Sequence, residues 1–144
     1  MTQLATKPFT ARFTVRSYEL DQNGHLNGAV YVQWADHARW ECSQAAGVSV
    51  DELVASGVGP VNLETTLRFH RELRAGAEVE VSCAFEWGEG KTMRVIQEFR
   101  TADGTLVAEL VSVGGLLDLH ERRLVSDPRE RWRGLARDPG LLGL

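Results

Sequence analysis

One stretch of helical periodicity, Gly28–Ala46, stands alone between one alternating segment and four more. Tyr31, Trp34, Ala35, Ala38, Cys42 and Ala45 recur at three- and four-residue steps and form its apolar stripe, with Asp36, Arg39 and Gln44 largely off it. Asn27 is suited to cap the helix start, and Gly47 to end it. The flanking segments have the period of two that marks half-buried strands. In residues 9–17, Phe9, Ala11, Phe13 and Val15 oppose Thr10, Arg12, Thr14 and Arg16. In 61–70, Val61, Leu63, Thr65, Leu67 and Phe69 oppose Asn62, Glu64, Thr66, Arg68 and His70. Residues 77–87 alternate most cleanly, 92–100 place Gln97 on a face with Met93, Val95 and Phe99, and 105–119 are apolar on both faces. One striped helix and one half-apolar sheet have only each other to bury against. The expectation is an α+β chain: a five-stranded antiparallel sheet wrapped around one long helix, in the order β-α-β-β-β-β.

The links agree with that order. Gly88–Gly90 and Asp103-Gly104 are hairpin signals. Residues 48–60 form a connection with room for one helical turn from Asp51, broken by Gly57, Gly59 and Pro60. Ser126-Asp127-Pro128 opens a short C-terminal helix, about 127–137, that Asp138-Pro139-Gly140 stops. The opposite sheet face carries Thr66, Arg68 and Glu78 together with Ile96, Leu106 and Leu110. That mixed face and a free edge strand predict a homodimer, or a homotetramer built as a dimer of dimers.

With 144 residues, residues 1–144 are expected to form a single domain. The net charge of −4 argues against general nucleic-acid binding. No apolar run approaches the ~20 residues that span a bilayer, so no membrane partner is expected. MTQLATKPFT lacks the basic-then-apolar pattern of a signal peptide, which makes the cytoplasm the expected location. Cys42 and Cys83 lack metal-ligand spacing and read as buried thiols. Neither a Gly-rich phosphate loop nor a metal cluster stands out, so the expectation is no metal and no cofactor.

Between the first strand and the helix lies YELDQNGHLN, with Asp21, Asn23, His25 and Asn27 at every second position. Singly, these residues have plain roles: Asp and Asn make turns, and Asn23-Gly24 is an ordinary turn pair. Together, beside a helix start, they suit hydrolysis of an acyl group. A helix N-terminus offers free amides and the positive end of a dipole, so amides from Gly28 to Tyr31 can receive a carbonyl oxygen as it turns negative. Gly28 lets a substrate approach the backbone closely. Asp21 can attack the carbonyl or activate water, and Asn23 can orient that water. Histidine ordinarily titrates near neutral pH, which fits His25 for proton transfer. His37, His70 and His120 have no partner evident in the sequence.

The pattern Asp21-x-Asn23-x-His25-x-Asn27, followed by Tyr31 and Trp34, resembles hotdog-fold acyl thioesterases. It is most similar to the plant acyl-carrier-protein enzymes, whose turn reads D-x-N-x-H-x-N-N-x-x-Y-x-x-W. Leu63–Gly76 and Arg100–Val113 are similar to segments of the broader 4-hydroxybenzoyl-CoA thioesterase-like group, and the resemblance spans roughly residues 8–125. Two departures stand out: Gly28 replaces the second asparagine, and His70-Arg71-Glu72 stands where a proline is common. The resemblance implies a hotdog fold and an acyl-CoA or acyl-carrier-protein substrate. It implies Asp21, Asn23 and His25 as catalytic residues, with Asn27, Gly28, Tyr31 and Glu64 beside the substrate. It also implies a site completed at a subunit interface. Arg68, Arg71 and Arg74 are candidates for docking coenzyme A phosphates or an acidic carrier.

Two other functions remain open on sequence. Hotdog enoyl-thioester hydratases also use aspartate and histidine, but space them five apart, as D-x-N-x-x-H; Asp21 and His25 are four apart. A non-catalytic module that binds an acyl group is the third reading, which the intact polar turn disfavours.

Overall fold

A computed structural model describes residues 8–144; the reading of the N-terminal segment as free of a signal peptide falls mostly on residues 1–7, outside the described residues. The elements are strand β1 (Phe9–Thr14), helix α1 (Gly28–Ala45), helix α2 (Val50–Ala55), strands β2 (Val58–Phe69), β3 (Glu78–Trp87), β4 (Thr92–Thr101), β5 (Leu106–Asp118) and β6 (Arg123–Leu124), and helix α3 (Pro128–Leu135). Five strands form one antiparallel sheet in the order β1-β3-β4-β5-β2, and β6 adds a short pairing on β5. The sheet curls around α1, as the hotdog resemblance implies. The expected hairpins β3–β4 and β4–β5 are present. Among the described residues, no helix is long and apolar enough to cross a membrane.

The helix is fixed from both ends of its apolar stripe. Val30, Tyr31, Trp34, Ala35, Ala38 and Cys42 are buried against the sheet. Phe13 stacks on Trp34 at 4.8 Å between centroids, and Phe99 meets Tyr31 at 5.4 Å. The small buried residues Ala35, Ala38 and Cys42 let helix and sheet approach closely beyond the Tyr31 and Trp34 anchors. Cys42 and Cys83 are buried free thiols: Cys42 Sγ donates to the Leu141 carbonyl at 3.7 Å, and Cys83 Sγ accepts from Gln97 Nε2 at 3.3 Å.

Several expectations change. Ala45 is exposed, and Ala46 occupies the buried position, because the helix ends at Ala45 and the chain turns there. The single turn expected from Asp51 is the two-turn α2, capped by Ser49 on Glu52. β2 begins at Val58 and runs through Gly59 and Pro60, residues expected to break the chain; Pro60 is tolerated on an edge strand. The alternation of β2 is interrupted by a bulge between Asn62 and Glu64, which leaves Leu63 exposed. Beside it, β5 carries Gly114, where a Cβ would stand 2.8 Å from the Val61 carbonyl oxygen; only glycine lets the two strands pass there. Leu110, expected on the outer face, is fully buried, since it pairs with Gln97 and Leu67 on the core side. Arg39, expected to lie off the packed face, is held at the helix–sheet boundary. Its guanidinium donates to Ser112 Oγ at 2.8 Å and to Gln97 Oε1 at 3.4 Å, and also pairs with Asp36. Gln97 is completely buried and its Nε2 donates to the Ala35 carbonyl at 2.9 Å, so the core polar network is satisfied internally.

The tail docks. After α3, a 3₁₀ turn at Pro139–Leu142 buries Leu142, and the Trp87 indole donates to the Leu142 carbonyl at 2.6 Å.

Candidate active site

The polar turn is a closed structure. A 3₁₀ turn at Ser17–Glu19 leads into it, and an isolated bridge joins Leu20 to Leu26. The Asp21 amide donates to the His25 carbonyl at 2.7 Å. Gly24 takes φ +76°, a backbone state that glycine adopts without strain, and its amide donates to the Asp21 carbonyl. The turn is anchored outward as well: the Leu26 amide donates to the Leu73 carbonyl at 2.8 Å, and the Asn27 amide to the Glu19 carbonyl at 2.9 Å. Its geometry is therefore set before any ligand arrives.

The Asp21 side chain does two things at once. Oδ1 accepts from the Asn23 amide at 2.8 Å and the His25 amide at 3.1 Å. These bonds, His25's first, hold its pKa below the ordinary aspartate value, so the group stays ionised through neutral pH. With Oδ1 used by the turn, the second oxygen is the one available for chemistry.

At the helix start, Asn27 caps α1: its Oδ1 accepts from the Ala29 amide at 3.0 Å, and its carbonyl from the Val30 amide at 2.9 Å. The range of amides expected to face a substrate, Gly28 to Tyr31, narrows accordingly. Ala29 and Val30 are occupied, and the Gly28 amide has no acceptor among the described residues. Asp21, Gly28 and Tyr31 line one open cavity of about 370 Å³, together with His25, Phe69 and Glu72 among others. Tyr31 is buried, with Phe69 edge-on at 5.1 Å; burial, aided by the charge of Asp21, raises the pKa of its phenol.

Sequence reasoning missed Glu72. Its carboxylate bonds His25 Nε2 at 2.5 Å and Arg74 at 3.0 Å. A carboxylate accepts in that bond, so Nε2 carries its proton. Glu72 follows β2 in sequence by only a few residues, but nothing local points from it to His25. Phe69 and His70 complete one wall, the latter bonded to Glu109 at 2.9 Å. His37 is paired with Glu41 at 3.4 Å.

Other expected residues lie apart. Asn23 contributes its backbone amide to the turn, while its side chain is exposed and outside the cavity lining. Glu64 lines a different hollow on the outer sheet face, with Arg68, Arg94 and Glu109. Within one chain it is not brought to Asp21. The three arginines are also dispersed: Arg68 is on that outer face, Arg71 lines the Asp21 cavity, and Arg74 is held by Glu72. Among the described residues no cluster suited to a metal ion is present.

Comparison with known proteins places the chain among relatives. The sequence profile of the thioesterase-like superfamily matches residues 15–132. Over 62 residues the chain is 42% identical to a chloroplastic acyl-acyl carrier protein thioesterase of Arabidopsis thaliana, ATL3; over 67 residues it is 39% identical to a second, ATL2. These stretches cover 43% and 46% of the chain but 33% and 36% of the relatives, so the match spans about a third of their length. Among solved structures, the hypothetical protein SAV2348 of Staphylococcus aureus, in complex with CoA, superposes with a TM-score of 0.84 at 20% identity, over 99% of this chain and 89% of its own. The probable thioesterase YbaW of Escherichia coli superposes with a TM-score of 0.80 at 20% identity, over 90% and 99%. At that identity the likeness is one of fold.

Proposed function

The chain belongs to the thioesterase-like superfamily, and from that premise we propose that it hydrolyses an acyl thioester to a free acid and a thiol at the Asp21 cavity. The observation that carries the reading is one juxtaposition: an ionised Asp21 and a helix-start amide, that of Gly28, with no acceptor among the described residues, lining the same open cavity. The thioester carbonyl lies against Gly28, where the amide and the helix dipole favour the negative charge that develops on oxygen. The free oxygen of Asp21 attacks the carbonyl carbon or takes a proton from the attacking water. Either path breaks the carbon–sulfur bond and releases the thiolate; on the first, water then cleaves the acyl–Asp21 anhydride to the free acid and restores the carboxylate. His25, held by Glu72 through Nε2, supplies or accepts a proton at Nδ1; Asn23 acts through its backbone amide, which holds Asp21 Oδ1. Phe69 and Tyr31 give the acyl group an apolar wall. Glu64 enters the reading only from a second subunit.

The thiol carrier is coenzyme A or an acyl carrier protein, and Arg71 is the docking candidate that shares the cavity. A two-fold dimer along β2 belongs to the proposal, because that twelve-residue strand ends the sheet and exposes Leu63 and Phe69. Light scattering on the purified protein tests it, with a monomer as the contrary result.

The direct assay is thiol release across short, long and aromatic acyl-CoAs, with acyl carrier proteins alongside. The reading predicts turnover on at least one class and its loss in Asp21→Asn. Hydration of a trans-2-enoyl thioester without thiol release would assign the site to a hydratase instead. Acyl binding without any turnover would make it a binding module.

A further inference from the structure

The outer face of the sheet, turned away from α1, carries an ordered pattern of charge. The strand registers set side chains in rows across β2, β5, β4 and β3. The middle row is Thr66, Val111, Ile96 and Ala84, uncharged throughout, with Val111 and Ile96 partly buried. On one side of it stand Glu64, Val113, Arg94 and Glu86. On the other stand Arg68, Glu109 and Glu98, then Ser82, whose Oγ accepts from the Glu98 amide at 3.0 Å. A hollow of about 400 Å³ lies over Thr66, Val111 and Val113, and none of its lining residues lines the Asp21 cavity.

The charges are antisymmetric about the middle row. On β2, Glu64 and Arg68 stand either side of Thr66; on β4, Arg94 and Glu98 stand either side of Ile96. Reversing the strand direction therefore sets each of these charges against its complement. Arg94, Glu98 and Glu109 are paired within the chain, to Glu86, Arg100 and His70, whereas Glu64 and Arg68 have no ionic partner among the described residues. We propose that this face docks a second copy of the chain, laid face to face about a two-fold axis that runs across the strands along the middle row. Each strand then lies against its own copy running the other way. Glu64 of one copy faces Arg68 of the other, Arg94 faces Glu98, and symmetry makes each pair twice. Val111 and Ile96 meet their own copies on the axis, and Glu86 faces the Ser82 hydroxyl. Twisted sheets stacked face to face keep their strands within about 30° of alignment, which this axis allows. The alternative axis, parallel to the strands, would set β2 against β3 and β5 against β4. That brings Glu64 onto Glu86 and Glu109 onto Glu98, and like charges disfavour it.

This face is separate from the β2 edge and does not depend on the hydrolase reading. β5 lies between β4 and β2, so charge exchanges on β4 report the face alone. Sedimentation velocity on the whole chain at micromolar concentration compares the unaltered protein, Arg94→Glu, Glu98→Arg and the two exchanges together. Each single exchange sets like charges against each other twice and should weaken association about tenfold or more. The double exchange restores both pairs across the axis and should return the mass of the unaltered chain. An effect confined to one chain would add instead, since each exchange also places like charges beside Glu86 or Arg100. Ile96→Lys puts two cations together on the axis and should halve the assembled mass, whether or not the β2 dimer forms, with the circular dichroism unchanged. Equal masses for the unaltered chain and Ile96→Lys, single exchanges without effect, or a double exchange that stays dissociated would each overturn the assignment. If Ile96→Lys does not fold, the exchange series decides alone.

Discussion

The two ends of α1 handle polar groups in opposite ways. At the N-terminal end, the chain itself sets up an open hollow in which a carboxylate is ionised and an amide has no partner among the described residues. In the C-terminal half, Arg39 is drawn onto Ser112, Gln97 and Asp36 until its charge is balanced, and Gln97 satisfies the helix carbonyl of Ala35. The first end spends stability on groups poised for a reactant; the second closes its hydrogen bonds internally and holds helix to sheet. The difference teaches that polarity near a helix does not identify chemistry. What matters is whether the polar groups have used up their partners.

Four changes break or sharpen this contrast. Asp21→Asn keeps an acceptor for the Asn23 and His25 amides but removes the charge, so turnover should fall by about 10²–10⁴-fold with the melting temperature nearly unchanged. Gln97→Leu does the reverse: it removes one acceptor of the Arg39 guanidinium and the side-chain donor to the Ala35 carbonyl in the core. Urea unfolding should show a loss of about 1–3 kcal/mol, with turnover per folded molecule preserved. Asn27→Ala removes the helix cap and should cost about 1 kcal/mol. It should also lower turnover, since it loosens the backbone beside Gly28; unchanged turnover would weaken the role given to that amide. Glu72→Gln is the smallest. The pair with His25 is partly exposed and worth no more than about 1 kcal/mol, so turnover should change by no more than about fivefold.

The pH dependence follows from Asp21. Its pKa in the folded chain is lowered by the two amide bonds, so its stabilisation is complete above the ordinary aspartate value of about 3.9 and is lost as pH falls through the lower folded value. The acid limb of activity should therefore lie below that ordinary value, provided the fold persists there. An acid limb well above it would mean that another group controls the reaction.

What was legible in the sequence was local. The strands, the helix and its Asn27 cap follow from periodicity and capping, and the Asp21 turn occupies ten consecutive residues whose hydrogen bonds mostly stay within it. The C-terminal half of α1 was not legible. Arg39 meets Gln97 and Ser112 across separations of 58 and 73 residues, and on a helical wheel it looks like any solvated cation. Leu110 was misplaced because β5 is apolar on both faces, so alternation could not say which side turns inward. Glu64 was read toward the turn by resemblance, but the face of β2 that it occupies looks away from α1 within one chain. Glu72 was passed over because its partner is across the cavity, not along the chain.

The most direct test is the structure of Asp21→Asn crystallised with an intact acyl-CoA that the unaltered protein turns over. The account predicts the thioester oxygen within hydrogen-bond distance of the Gly28 amide and the carbonyl carbon facing the side chain at position 21. A thioester seated elsewhere, on the outer sheet face beside Glu64 and Arg68, would contradict it.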